Sequence, residues 1–142
     1  MNIIETGIEG LLIIEPKVFE DSRGYFFESY NRDTWSDLGI NQDFVQDNQS
    51  KSSYGVVRGL HYQLAPHAQS KMVRVLYGEV LDVAVDLRKD SPTFKQSFSI
   101  FLSDRNKRQL LIPKGFAHGF AVLSEEAIFY YKCDELYNPK AE

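Results

Sequence analysis

From Lys71 onward the pattern of apolar and polar residues is that of strands throughout, with a period near two where it is clearest. "KMVRVLYGEVLDVAVDLR" predicts a hairpin around Gly78-Glu79, with Val73, Val75 and Tyr77 on one face of its first arm. In the second arm Leu81, Val83, Val85 and Leu87 alternate with Asp82, Ala84 and Asp86. "FKQSFSIFL", "RQLLIP", "GFAHGFAVL" and "EAIFYYKC" follow as further short strands divided by turn residues. Upstream, "GLLIIEPKVF" predicts a buried strand leading to an edge segment. "DSRGYFFESY" predicts a turn at Asp21–Gly24 and a strand from Tyr25 to Tyr30. "NRDTWSDLGI" is the one clear helix, with Asn31 as N-cap, Asp33 in the first turn, Trp35 and Leu38 on a shared face and Gly39 at C′. Many short strands at near-regular spacing, with no repeat or linker, predict one all-β domain over residues 1–142, a barrel or a double-sheet jelly roll. Such folds hold small ligands at the barrel mouth.

A chain of 142 residues can bury a real core, and its 10 Phe and 8 Tyr suit a sheet with aromatic-lined surfaces. The net charge of −4 gives no reason to expect nucleic acid or an acidic membrane as partner, so any anionic ligand must meet a local basic cluster. Cys133 is the only cysteine, which rules out an intrachain disulfide and fits a reducing compartment. "MNIIETGIEGLLIIEP" has no basic segment before its short apolar run, and "LLII" is too short for a secretory core or a membrane span. The expected setting is the cytoplasm.

The three histidines stand in different surroundings. His67 lies in the loop "LAPHAQSK" and reads as a structural residue, while His118 opens a strand in "PKGFAHGF". His61, in "VVRGLHYQ", has Arg58 nearby and Lys71 at the head of the next strand. A neutral imidazole among cations suits removal of a proton next to a carbonyl, the cations holding the enolate oxygen and any phosphate. A lone strand histidine is more often a hydrogen-bonded structural residue, and periodicity does not decide between the two. A metal site on the three histidines ranks well below proton transfer: "HYQ" lacks a His-x-His pair, and the nearest acidic residue after His61 is Glu79.

Tyr130 reads as packing, whereas Tyr131 falls on the opposite strand face and can serve as a proton donor. Tyr137, past the strand end, can offer a flat face to a base or sugar. Arg23, in a glycine-containing turn, is a plausible phosphate contact. Glu28 can accept from ring N–H groups, and Gln46, Asp47 and Asn48 can supply hydrogen bonds. Taken alone, these last positions are turn chemistry.

"DSRGYFFES", "FVQDNQSKSSYGVVRGLHYQ", "QSKMVRVLYGEVLDVAVDLRKDSPTF", "LLIPKGFAHGFAVLSE" and "YYKCDELYNP" together resemble the dTDP-4-dehydrorhamnose 3,5-epimerase family, in order and over nearly the whole chain. The resemblance implies a cupin-like double-stranded β-helix (jelly roll) that works without metal or cofactor, as a homodimer with exchanged N-terminal strands. It implies a dTDP-linked 4-keto-6-deoxyhexose as substrate, inverted at C3 and C5 through an enolate. By the family pattern His61 is the base, Tyr131 the acid and Lys71 the group that stabilises the enolate. Arg58 would contact the phosphates or sugar and His118 the substrate. Arg23, Glu28, Gln46, Asp47 and Asn48 would serve nucleotide and sugar, some reaching across the dimer. Tyr137 would stack on thymine, and Glu142 is a further binding position. Arg58 and His61 then stand three apart because one holds an anion while the other works on the adjacent ring.

The family usually continues for several dozen residues beyond the point matching Glu142, in a segment that supplies a carboxylate orienting the base. Asp82 or Asp86 can substitute, though both read more simply as solvent-facing or paired to arginines. Other readings are a non-catalytic sugar-nucleotide binding module, a 3- or 5-monoepimerase, a ketoisomerase of the same fold and, remotely, a metal-dependent cupin oxygenase.

Overall fold

The computed structural model describes residues 1–142. Two antiparallel sheets face each other. The larger takes the order β1 (Asn2–Glu5), β2 (Leu12–Glu15), β10 (Gln109–Ile112), β7 (Lys71–Tyr77), β12 (Glu126–Cys133), β5 (Gln46–Ser53). The smaller runs β6 (Val57–His61), β11 (Phe116–Val122), β8 (Glu79–Asp86), β9 (Ser97–Ser103). A separate hairpin, β3 (Phe19–Asp21) and β4 (Gly24–Phe26), pairs with neither sheet. This is the jelly roll expected from the strand spacing. No helix is long and apolar enough to cross a membrane.

Inward side chains of the two sheets, among them Val73, Val80, Leu102, Leu110, Val122 and Phe129, form the main core. A second cluster lies outside the larger sheet, where α1 (Arg32–Asp37) lays Trp35 on Ile14, Met72 and Leu111. The helix forms as its sequence predicts. The Asn31 side chain accepts from the backbone N–H groups of Asp33 and Thr34, and Gly39 follows the end at φ +88°. Leu38, expected beside Trp35, is instead exposed.

Three elements differ from the sequence pattern. Lys71–Tyr77 and Glu79–Asp86 do not pair as a hairpin. β7 bonds to β10 and β12, while β8 bonds to β9 and β11. Gly78 is therefore a corner between sheets. Its φ is +85°, and a Cβ there would run into the Glu126 carbonyl and the Ser124 hydroxyl. "FVQDNQSKS", which reads as turn chemistry, holds all but the last residue of the eight-residue strand β5, paired along its length with β12. The strand expected over Tyr25–Tyr30 ends at Phe26, the turn at Asp21–Gly24 having formed as predicted.

The facing of β8 also reverses. Val80, Asp82, Ala84 and Asp86 are the buried set, while Leu81, Val83 and Val85 are partly exposed. Asp82 is neither solvent-facing nor paired to an arginine: it is fully buried and bonded to His118. Asp86 is the one that pairs with an arginine, Arg88.

Candidate active site

Strand pairing brings the chemistry-bearing side chains to one mouth between the sheets. On β12, Ala127, Phe129, Tyr131 and Cys133 alternate inward, whereas Tyr130 and Lys132 face outward. Across the ladder Tyr131 stands opposite Asn48 on β5 and opposite Val73 on β7. Lys71 opens β7 opposite Cys133. From the smaller sheet, His118 sits in the middle of β11, opposite His61 on β6 and Ala84 on β8.

Arg58 and His61 reach the same cavity although an odd spacing sends side chains of a regular strand to opposite faces. The resolution is a bulge. Four residues of β6, Arg58 to His61, lie against three of β11, His118 to Phe120. Gly59 sits in the bulge with φ +101°, and a Cβ there would lie 2.6 Å from the His118 carbonyl oxygen and 2.7 Å from Gly119 Cα. Two glycines thus let the backbones meet where the strand must turn one residue round.

The result is a pair of adjoining cavities of about 190 Å³ each. The inner is lined by Asn48, Arg58, His61, Lys71, His118 and Tyr131, with Phe120 and Phe129 stacked at 4.1 Å beside it. The outer is bounded by His61, Lys71, Gln69, Tyr131, Tyr137 and Glu142. His61, Lys71 and Tyr131 are common to both, so they form the wall the two cavities share.

Electrostatics separates the roles of these three. Burial pushes the Lys71 ammonium below the usual lysine range, opposed by the negative charge that Cys133, Asp82 and Glu142 can carry. The ammonium lies 5.4 Å from the centre of the Tyr131 ring. Burial likewise pushes the Tyr131 phenol up, so at neutral pH it holds a proton to give. His61 is more exposed, and its Nδ1 lies 2.9 Å from Glu142 Oε1. The other Glu142 oxygen accepts from the Tyr137 hydroxyl at 2.9 Å. Glu142 therefore holds the imidazole from one side, leaving the remaining ring nitrogen for chemistry. Its contact with His61 is one the sequence did not signal, because the two residues are 81 positions apart by number and join only through the turn after β12.

The remaining candidates divide. Gln46 accepts from the Tyr137 backbone N–H at 3.0 Å and donates to Asn48 at 3.2 Å, so it holds the outer rim. Asp47 faces the opposite side of β5, where Tyr130 donates to it at 2.6 Å and Lys132 at 3.0 Å. Arg58 also donates to Ser52 at 2.9 Å. Arg23 and Glu28 lie outside both cavities. Arg23 is on the exposed turn of the β3–β4 hairpin, paired with Asp21, and Glu28 is exposed in the segment that follows. His67 lies outside as well, its backbone carbonyl taken by Gln63.

The sequence profile of the family described as dTDP-4-dehydrorhamnose 3,5-epimerase matches residues 5–142. A protein of that name from Shigella flexneri is 57% identical over 100% of this chain and 79% of its own length, and one from Escherichia coli K12 is 52% identical over 100% and 77%. Among solved structures, a dTDP-4-dehydrorhamnose 3,5-epimerase from Bacillus anthracis with TDP and pyrophosphate bound superposes with a TM-score of 0.97 at 50% identity, covering 99% of this chain and 81% of that one. A dTDP-6-deoxy-D-glucose-3,5-epimerase from Legionella pneumophila in complex with dTDP-4-keto-L-rhamnose gives 0.95 at 56% identity, covering 99% and 74%.

Proposed function

The chain belongs to the dTDP-4-dehydrorhamnose 3,5-epimerase family, and from that premise we propose how its own residues perform the reaction. It is an isomerase that epimerises a dTDP-linked 4-keto-6-deoxyhexose. The 4-keto group acidifies the hydrogens on C3 and C5, because the carbanion left by their removal delocalises onto the carbonyl oxygen.

His61 takes the proton from carbon, and the C–H electron pair becomes the enolate. Lys71 meets the developing oxyanion in a site where little water competes with it. Tyr131 returns a proton to the opposite face of the ring, and the phenolate and imidazolium reset by exchange with solvent. Every step is a proton transfer among side chain, substrate and water. The observation that carries this reading is the shared wall: base, cation and acid all border the same two cavities.

The hexose fits the inner cavity, with Arg58 and His118 as its polar contacts. The nucleotide runs outward over Gln46 and Asn48 to Tyr137, whose ring, 55% exposed, is available to stack on thymine. Asp47 would serve from the outer face of β5 and Glu142 through His61 and Tyr137. Arg23 and Glu28 are assigned to the active site of a second copy. That assignment, and a homodimer with exchanged N-terminal strands, is favoured by the hairpin, which pairs with neither sheet of its own chain and leaves Phe19 and Phe26 exposed. The one thiol, Cys133, is buried and unpaired, in keeping with a cytoplasmic enzyme.

Incubation with dTDP-4-keto-6-deoxyglucose in D2O, followed by NMR at C3 and C5, tests the scheme. Exchange at both carbons that disappears in His61→Ala is the expected result. Nucleotide binding without exchange would replace it with a binding module, exchange at C3 alone with a 3-monoepimerase, and a relocated carbonyl with a ketoisomerase. In Tyr131→Phe, deuterium wash-in from the His61 side should persist while inversion falls on the order of 10²–10⁴-fold. Equal loss of both would reassign Tyr131 to binding or packing.

A further inference from the structure

Asp82 is the one carboxylate buried beneath the inner cavity, with no exposed surface. Its Oδ1 lies 2.7 Å from His118 Nε2, and its Oδ2 has no hydrogen-bond partner at all. An unpaired buried carboxylate oxygen is costly unless a cation nearby offsets its charge. Lys71, from β7 in the facing sheet, lines the same inner cavity as His118, the residue bonded to Asp82, and its charge favours the ionised carboxyl. Burial pushes the Asp82 carboxyl above the usual carboxylate range, and the pull of His118 and Lys71 in the other direction only partly offsets it.

The other groups around Lys71 leave this role to Asp82. On β12, Tyr131 presents its ring and Cys133 a thiol that burial pushes up to about 11, so neither is an anion at neutral pH. On β6, Arg58 and His61 bring no negative charge. Glu142 reaches Lys71 electrostatically but is already bonded to His61 and Tyr137.

We propose that Asp82 is the positioning residue of this site: as a carboxylate, Oδ1 fixes the His118 ring in its Nε2–H form, and Oδ2 supplies the buried negative charge against which Lys71 keeps its proton. An ionised carboxylate can only accept, so Nε2 must donate to it, and His118 presents Nδ1 to the hexose as an acceptor or, when protonated, a donor. The proposal rests on the epimerase reading for the roles of His118 and Lys71, but its geometry does not.

Asp82→Asn keeps the shape and removes the charge. The expected result is a kcat roughly ten- to a hundredfold lower with KM little changed, because Asp82 touches no nucleotide contact. The alkaline limb of kcat/KM should also move to lower pH, since Lys71 loses the charge that favours its protonated form. The tautomer is read directly on the unmutated protein by long-range ¹H–¹⁵N spectra of ¹⁵N-histidine, with the His118 signals identified by their absence in His118→Gln. Protonation at Nε2 supports the proposal, and a neutral ring protonated at Nδ1 overturns it whether or not Asp82→Asn folds. An Asp82→Asn enzyme with unchanged kcat and pH profile also overturns it, since asparagine mimics a neutral Asp82. If unmutated protein catalyses no exchange at C3 or C5, the epimerase scheme fails while the spectra still decide the role of Asp82.

Discussion

Gly59 is the residue on which the joint use of Arg58 and His61 depends. At φ +101° it lies where a side chain is strained, and its missing Cβ leaves room for the backbone of β11. Gly59→Ala should therefore shift β6 away from Gly119 and turn either Arg58 or His61 off the cavity. A displacement near 1 Å costs on the order of a hundredfold in kcat/KM, with a lower Tm by circular dichroism. Retained activity would mean that the bulge does not set the site. Lys71 carries a second residue-level expectation. Its lowered pKa means that the ammonium is lost as pH rises through a value below the ordinary lysine range, so the alkaline limb of kcat/KM should fall below about 10.4. Tyr131, shifted the other way, does not set that limb. Lys71→Arg should be slower yet show no limb in that interval, because a guanidinium stays charged. The types of these residues were legible in the sequence, since an imidazole near cations already suggests proton abstraction. Their common facing was not, because the bulge is fixed by contact with a strand about sixty residues on.

At the scale of elements, period-two patterning located most strands but misassigned the one pairing it suggested. Local alternation reports which residues share a face, yet says nothing about which strand lies alongside. Lys71–Tyr77 and Glu79–Asp86 look like a hairpin for that reason, and only packing shows that Gly78 turns the chain between sheets. β5 escaped notice because its residues are polar on both faces: of the inward ones, Asn48 lines a cavity rather than a core, and Gln46 is bonded to Asn48 and to the Tyr137 backbone. β8 reversed for a related reason, since two of its buried positions are aspartates with dedicated partners. Asp86 anchors the loop that leads towards β9, accepting from Arg88, Ser91 and Thr93. Burial raises its carboxyl, but those hydrogen bonds outweigh it and hold the group well below the usual carboxylate range. A depressed folded-state pKa contributes stability that is present above the unfolded value of about 3.9 and lost as pH falls through the folded one. Asp86→Asn should destabilise the protein by about 3 kcal/mol in urea unfolding at pH 7. The gap should narrow as pH falls below about 3.9, where the unfolded chain takes up a proton at Asp86 that the folded carboxyl resists. A gap that stays constant with pH would assign the effect to packing. Arg88, held by Asp86, lies over the Phe116 ring at the start of β11, so the same change should disturb the strand that carries His118.

For the whole molecule, the question is why Arg23 and Glu28, expected at the substrate from the resemblance alone, stand outside the cavities of their own chain. The β3–β4 hairpin bonds only to itself, and its Phe26 is 70% exposed. A two-stranded ribbon with an apolar surface is marginal in water and gains stability by packing against another body. A second copy is the partner that would give its arginine a use, because a twofold axis that brings one hairpin to the partner's cavity brings the other back equally. Subunit complementation distinguishes this arrangement from one in which Arg23 serves its own chain. Arg23→Ala and His61→Ala homodimers should each be weak. Mixed dimers made by refolding the two together would pair an intact His61 from one chain with an intact Arg23 from the other at one of their two sites. With random pairing, about a quarter of the unmutated rate should return, since half the dimers are mixed and each has one whole site. If Arg23 acts within its own chain, every site in the mixture keeps one defect and no activity returns. A monomer by light scattering at assay concentration would overturn the shared site outright.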